Sequence, residues 1–133
     1  MQECGADALR FALCAYTAQG RDINLDIKRV VAYRQWCNKL WNAIKFAMRY
    51  LSPPADSDQN PDPAEAAEPP LAARWIRSRL CATAAKVNPA LDAYDFSTTT
   101  QAIYAYWQYD VCDTYIELIK PILRVRLAHA VLV

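Results

Sequence analysis

Between residues 24 and 51 the apolar positions keep to one side of a helix. Val30, Tyr33, Trp36, Cys37, Leu40, Trp41, Ile44, Ala47, Met48 and Leu51 recur at steps of three and four. At about 100° per residue they form a single stripe. Arg34, Asn38, Asn42, Lys45 and Arg49 fall on the opposite face, with Gln35 and Lys39 at its flanks. The pattern predicts one long helix from Asn24, a capping side chain for a free first-turn N–H, to about Leu51. Asp26 suits the positive end of its dipole. A shorter helix is predicted from Ala6 to about Ala18, with Asp7 near its start and Gly20 as its stop. A third fits Leu71 to Leu91, and Pro89, lacking an N–H, is predicted to kink or end it near Asn88. A fourth starts at Thr98, where Thr98 and Gln101 match a capping box, and runs to about Lys120 before Pro121. No segment alternates with the period of a strand, and no internal repeat stands out. The predicted fold class is all-α, a partial antiparallel bundle of about four helices.

Residues 52–70 break this pattern. They hold six of the eight prolines and no aromatic residue, so they neither continue a helix nor bury a core. This Pro/Asp-rich stretch reads as a linker after the second helix. The aromatic residues of the long helix's stripe read as packing, since a stripe at helical spacing faces a core.

Composition then narrows the chemistry. The 133 residues have room for one domain. The two glycines, Gly5 and Gly20, stand too far apart for a phosphate loop or a dinucleotide fingerprint. A single histidine, His129, excludes any two-histidine metal or nucleotide motif within the chain. No apolar run approaches the ~18 residues of a membrane span. The first residues lack the basic and apolar regions of a signal peptide. Five cysteines, at 4, 14, 37, 81 and 112, contain no C-x-x-C and read as reduced thiols of a cytosolic protein, packed as small apolar groups.

A net charge of +1 conceals alternating blocks. Residues 21–51 are strongly basic, 52–69 carry only acids, 70–90 only bases, 91–119 only acids, and the last residues are basic again. Solvated helix faces usually mix signs, because acid–base pairs four apart stabilise them. From Ile27 to Leu51 no acid occurs at all. Arg34, Asn38, Asn42, Lys45 and Arg49 line up over about 22 Å at 1.5 Å per residue, a length suited to a phosphate backbone. Chemistry alone leaves three readings open: a solvated surface, a nucleic-acid contact, or a non-catalytic helical module docking an acidic protein. Asp110, Asp113 and Glu117 share another helical face. They read either as carboxylates for acid–base work or as an acidic face answering Arg74, Arg77 or Arg79 on a neighbour, the simpler reading. His129 has no acid or thiol nearby in sequence and reads as a tail residue. No side chain has the local setting of an activated nucleophile.

Two stretches go beyond a generic helix. Gly5-Ala-Asp-Ala-Leu-Arg10, continued through Gln19-Gly-Arg-Asp-Ile-Asn-Leu-Asp26, closely resembles the valyl-tRNA synthetases just after their catalytic core. Cys37-Asn-Lys-Leu-Trp-Asn-Ala43 does so too. Ala93-Tyr-Asp-Phe-Ser97, Gln101-Ala-Ile-Tyr-Ala105 and Cys112-Asp113 through Leu118-Ile-Lys-Pro121 continue the resemblance in order. It covers roughly residues 4–51 and 74–123.

The resemblance implies a connector over residues 1–23, an incomplete anticodon-binding helical bundle over 24–123, and a divergent tail over 124–133. It implies tRNA(Val) as partner, gripped along its inner stem and anticodon. Arg34, Asn38, Asn42, Lys45 and Arg49 become the RNA-contacting residues, positioning phosphates more than reading bases. An exposed aromatic would stack on an unpaired base. The family's HIGH and KMSKS motifs, which bind ATP, and its editing domain are not present in this sequence. The chain is therefore expected to be a piece of a longer ligase whose ATP and Mg²⁺ belong to a catalytic core elsewhere, its second partner. By itself it should hold no catalytic residue, metal or cofactor, and should bind neither DNA nor membrane.

Overall fold

The computed structural model describes residues 4–19, 25–49 and 68–131, with side chains in the last stretch as far as Leu123. All regular structure among them is helical. Helix α1, Ala6–Tyr16, follows Gly5, whose φ of 75° is the left-handed value that glycine adopts without strain. Nothing lies within 4 Å of where a Cβ would stand on Gly5, so backbone angle rather than crowding favours glycine there. A 3₁₀ turn, Thr17–Gln19, closes the helix.

Helix α2, Ile27–Met48, starts two residues later than the Asn24 cap predicts. Asp26 does the capping, its Oδ1 accepting the Lys28 N–H at 2.9 Å. Asn24 itself, Gly20, Leu51 and linker residues 52–67 lie outside the described residues.

Helix α3, Leu71–Asp92, runs straight through Pro89 instead of ending near Asn88. The proline falls in the last turn, where its missing N–H removes a single bond and few residues remain to be disturbed. The chain then reverses over three residues. Tyr94 adopts a left-handed φ of 57°, its N–H donates to Leu91 O at 3.0 Å, and Asp95 N–H donates to Ala90 O at 2.7 Å. That pair of bonds is the Schellman ending, here with tyrosine where glycine is usual.

Asp95 ends that motif and begins the next helix. Its carboxylate accepts the Thr98 N–H at 3.0 Å, so α4, Phe96–Ala105, starts two residues before the Thr98 capping box expected from sequence. The hydrogen bond from Thr98 holds the Asp95 carboxyl below the usual carboxylate range. Ser97, Thr99 and Thr100 are buried in the first turn of α4. Thr99 and Thr100 donate back to the carbonyls of Asp95 and Phe96, both at 2.9 Å, so burial leaves them satisfied.

Nor does the chain stop before Pro121. Tyr106–Tyr115 winds as a π-helix and passes directly into α5, Ile116–Val131, which carries Pro121 inside it. The proline again costs one backbone bond. Ile116, Ile119 and Leu123, on both sides of it, line an open groove together with residues of α2.

The bundle assembles from its short elements. Helix α1 packs on α2 and α4, and α3 packs on α4 and the π segment, which also touches α2. Ala12, Tyr16 and Val30 form the buried centre, with Cys4, Leu9 and Tyr33 against it. Residues 6–16, expected to belong to a connector, thus share the core of the bundle. An aromatic chain ties the elements together. Phe11 lies 4.5 Å from Trp36 between ring centroids, Trp36 stacks on Tyr104 at 5.4 Å, and Tyr104 meets Tyr109 edge-on at 6.3 Å.

Candidate nucleic-acid interface

Burial of Val30 and Trp36 fixes the rotation of α2. Arg34, Asn38, Asn42, Lys45 and Arg49 are consequently all exposed, as their spacing predicts. Lys39, at the flank, is committed elsewhere: its ammonium donates to Asp113 Oδ1 of the π segment at 2.7 Å. The hydrogen bond raises the Lys39 pKa and holds the Asp113 carboxyl below its ordinary value, helped by a second donor, Gln108. Lys39 is thus a clamp between α2 and the π segment.

The apolar stripe behaves differently along its length. In its first half Val30 and Trp36 are buried and Tyr33, Cys37 and Leu40 half-buried, whereas Trp41 is 59% exposed, and Ile44 and Met48 are exposed with it. The packing role expected for the stripe's aromatics therefore holds for Trp36 and fails for Trp41. The Lys45 ammonium lies over the Trp41 ring, 5.4 Å from its centroid, so an aromatic surface adjoins the basic row. Beside them an open groove of about 410 Å³ runs between α2 and the last helix, lined by Ile44, Phe46, Trp107, Ile116 and Leu123 among others.

The three acids on the sequence-predicted face do not converge. Asp110 accepts from Arg79 Nε at 2.9 Å, as a pairing with α3 predicts. Asp113 instead meets Lys39 of α2, and Glu117 pairs with Lys120 one turn on. Arg74 pairs with Glu68. Each carboxylate has its own cation, which suits tethering rather than paired acid–base work. The Cys37 and Cys112 thiols are pushed up chiefly by burial, while Cys81 is exposed rather than packed. Among the described residues no three His, Cys, Asp or Glu side chains come together to hold a metal. The side chain of His129 lies outside the described residues. None of their helices is long and apolar enough to cross a membrane.

Sequence reasoning missed the exposed aromatics. Tyr109 is 57% exposed and borders an open cavity of about 420 Å³ with Phe11, Arg29, Tyr33, Gln101 and Tyr104. Period alone gave no sign of it, because Tyr109 lies inside the π segment, where the α-helical wheel does not apply.

Residues 73–133 match the family described as the anticodon-binding domain of tRNA ligase. The chain is 55% identical over 123 residues to valine–tRNA ligase of Takifugu rubripes, a match covering 90% of this chain and 10% of that protein. It is 50% identical over 121 residues to valine–tRNA ligase of Homo sapiens, covering 91% of this chain and 9% of that protein. The chain belongs to the valine–tRNA ligase family. A mitochondrial valine–tRNA ligase of Saccharomyces cerevisiae is 48% identical over 124 residues, covering 92% and 11%. The chain thus spans about a tenth of the length of the valine–tRNA ligases it matches. No solved structure matches it.

Proposed function

We propose that this chain grips tRNA(Val) for a valine–tRNA ligase, with the outer face of α2 laid along the RNA backbone. One observation carries the reading: the acid-free face of α2 exposes Arg34, Asn38, Asn42, Lys45 and Arg49 together. Cations neutralise phosphates, and the amides hydrogen-bond to sugar or base edges. Residues 1–23 lead in from the catalytic core, with α1 packed into the tRNA-binding bundle that continues over 24–123. The whole enzyme joins valine to tRNA with ATP and Mg²⁺. The two glycines of this chain stand too far apart for a phosphate loop. That chemistry is assigned to the catalytic core, a partner in the same enzyme. We place the enzyme in the cytoplasm.

Titration of tRNA by fluorescence anisotropy at several salt concentrations tests the RNA reading. Binding should weaken steeply with salt. Arg34→Ala/Lys45→Ala/Arg49→Ala should lower the affinity and reduce the slope of log K against log salt by about 2–3. A triple variant that binds tRNA as the parent does would remove this face from the interface.

A further inference from the structure

The π segment presents a second surface that the basic row on α2 does not include. Tyr109 stands between two openings. The larger, about 420 Å³, has Arg29 and Gln101 in its lining. The smaller, about 190 Å³, lies between α3 and the π segment and has Arg79, Lys86 and Asp110 in its lining. One exposed aromatic ring is therefore flanked by cations on both sides. Among the described residues, Asp110 is the only acid lining either opening.

We propose that Tyr109 is a stacking platform for one unpaired base of single-stranded RNA, with Arg29 on one side and Arg79 and Lys86 on the other receiving the flanking phosphates. This rests on the RNA-binding reading and extends it to a defined subsite. The ring is more than half exposed, and Tyr104 braces it edge-on from behind. The π winding creates that brace. In an α-helix, residues five apart diverge by about 140° around the axis. Bonding from i to i+5 brings them onto one side, and the Thr114 hydroxyl marks the same offset by donating to Tyr109 O at 2.8 Å.

The cations are available for phosphate. The Arg29 guanidinium lies 5.2 Å from the Tyr16 ring centroid, and among the described residues no carboxylate pairs with it. Lys86 likewise has no carboxylate partner among them. Arg79 spends only Nε on Asp110, which leaves its two terminal nitrogens for an incoming oxygen. The Gln101 amide donates to Ser97 Oγ at 3.1 Å, and its carbonyl oxygen can accept from a base edge. Cation, ring and cation lie in the order of phosphate, base and phosphate along a single strand.

Two RNA probes and three variants test it with the full chain. The probes are a single-stranded oligoribonucleotide and a blunt RNA duplex with no unpaired base, both read by anisotropy. Tyr109→Ala should weaken the single strand about tenfold and leave the duplex unchanged. Tyr109→Phe, which keeps the ring, should bind both probes as the parent does. Arg29→Ala/Lys86→Ala should lower the single-strand salt slope by about 1–2. Circular dichroism of each variant guards against unfolding. Equal single-strand binding by Tyr109→Ala and the parent overturns the platform and leaves the tRNA reading standing. A parent that binds tRNA but not the single strand also overturns the platform, and one that binds neither tRNA nor the probes overturns both readings. Equal losses on the two probes in Tyr109→Ala also overturn the platform, because a stacking surface for unpaired bases cannot act on a closed duplex.

Discussion

Helix α2 performs two different jobs with one continuous apolar stripe. In its first half Val30 is 2% exposed and Trp36 is 7% exposed, enclosed by α1 and by the Phe11–Trp36–Tyr104 stack. In its second half Trp41 and Met48 are 59% and 64% exposed, and Ile44 lines an open groove. Residue type and period are the same on both sides of the boundary. Short α1 reaches only the first half, so what lies alongside, rather than the stripe itself, decides burial. Periodicity names the face that wants a neighbour and is silent on whether one is present.

The sharpest way to break this contrast is to truncate one tryptophan in each half. Trp36→Ala should cost about 3–5 kcal/mol, the loss of a buried aromatic with its cavity. Trp41→Ala should change stability by no more than about 0.5 kcal/mol, as at an exposed site. Urea unfolding followed by circular dichroism measures both, and equal losses would mean that the second half is covered in solution. The next test is association. An uncovered apolar face should make the chain self-associate with rising concentration. Ile44→Lys/Met48→Lys should return it to monomer in sedimentation velocity while shifting stability by under about 1 kcal/mol. A parent that stays monomeric at every concentration would contradict the bare-face description.

A smaller effect belongs to the clamp that joins the two halves to the π segment. Lys39 and Asp113 are each 40% or more exposed at the side chain, so screening by water limits the pair to under about 1 kcal/mol. Asp113 is held below its ordinary pKa, so its contribution is complete above the usual carboxylate range and fades as pH falls through the lowered value. Lys39 is raised, so its contribution persists until pH climbs through the raised value. Asp113→Asn should therefore be slightly less stable than the parent at neutral pH and equal to it in acid. A stability gap that survives acidification would assign the effect to packing instead.

Much of the candidate interface was legible because it depends on one helix. Arg34 through Arg49 stand at spacings that only an α-helix puts in line, and the absence of acids between them is visible without coordinates. Element boundaries were less legible, for a local reason. Asn24 and Asp26, like Asp95 and Thr98, are pairs of capping residues within a few positions of each other, and either could begin a helix. The reversal at Tyr94 chooses Asp95, since the bond that closes α3 leaves Asp95 already in place as the next cap. The prolines at 89 and 121 were also misread: each removes a single backbone bond, and the helix continues past it. Tyr109 was hidden for a deeper reason. The π offset has no signature in hydrophobic spacing, so neither its exposure nor its contact with Tyr104 follows from a helical wheel.

That offset also sets a rule on chain length. In the π segment, residues five apart stand where residues four apart stand in an α-helix. The extra length is thereby absorbed without turning the helix that follows. Ile116, Ile119 and Leu123 keep the side they would hold after an α-helix one residue shorter. The segment takes up length and leaves the facing of α5 unchanged.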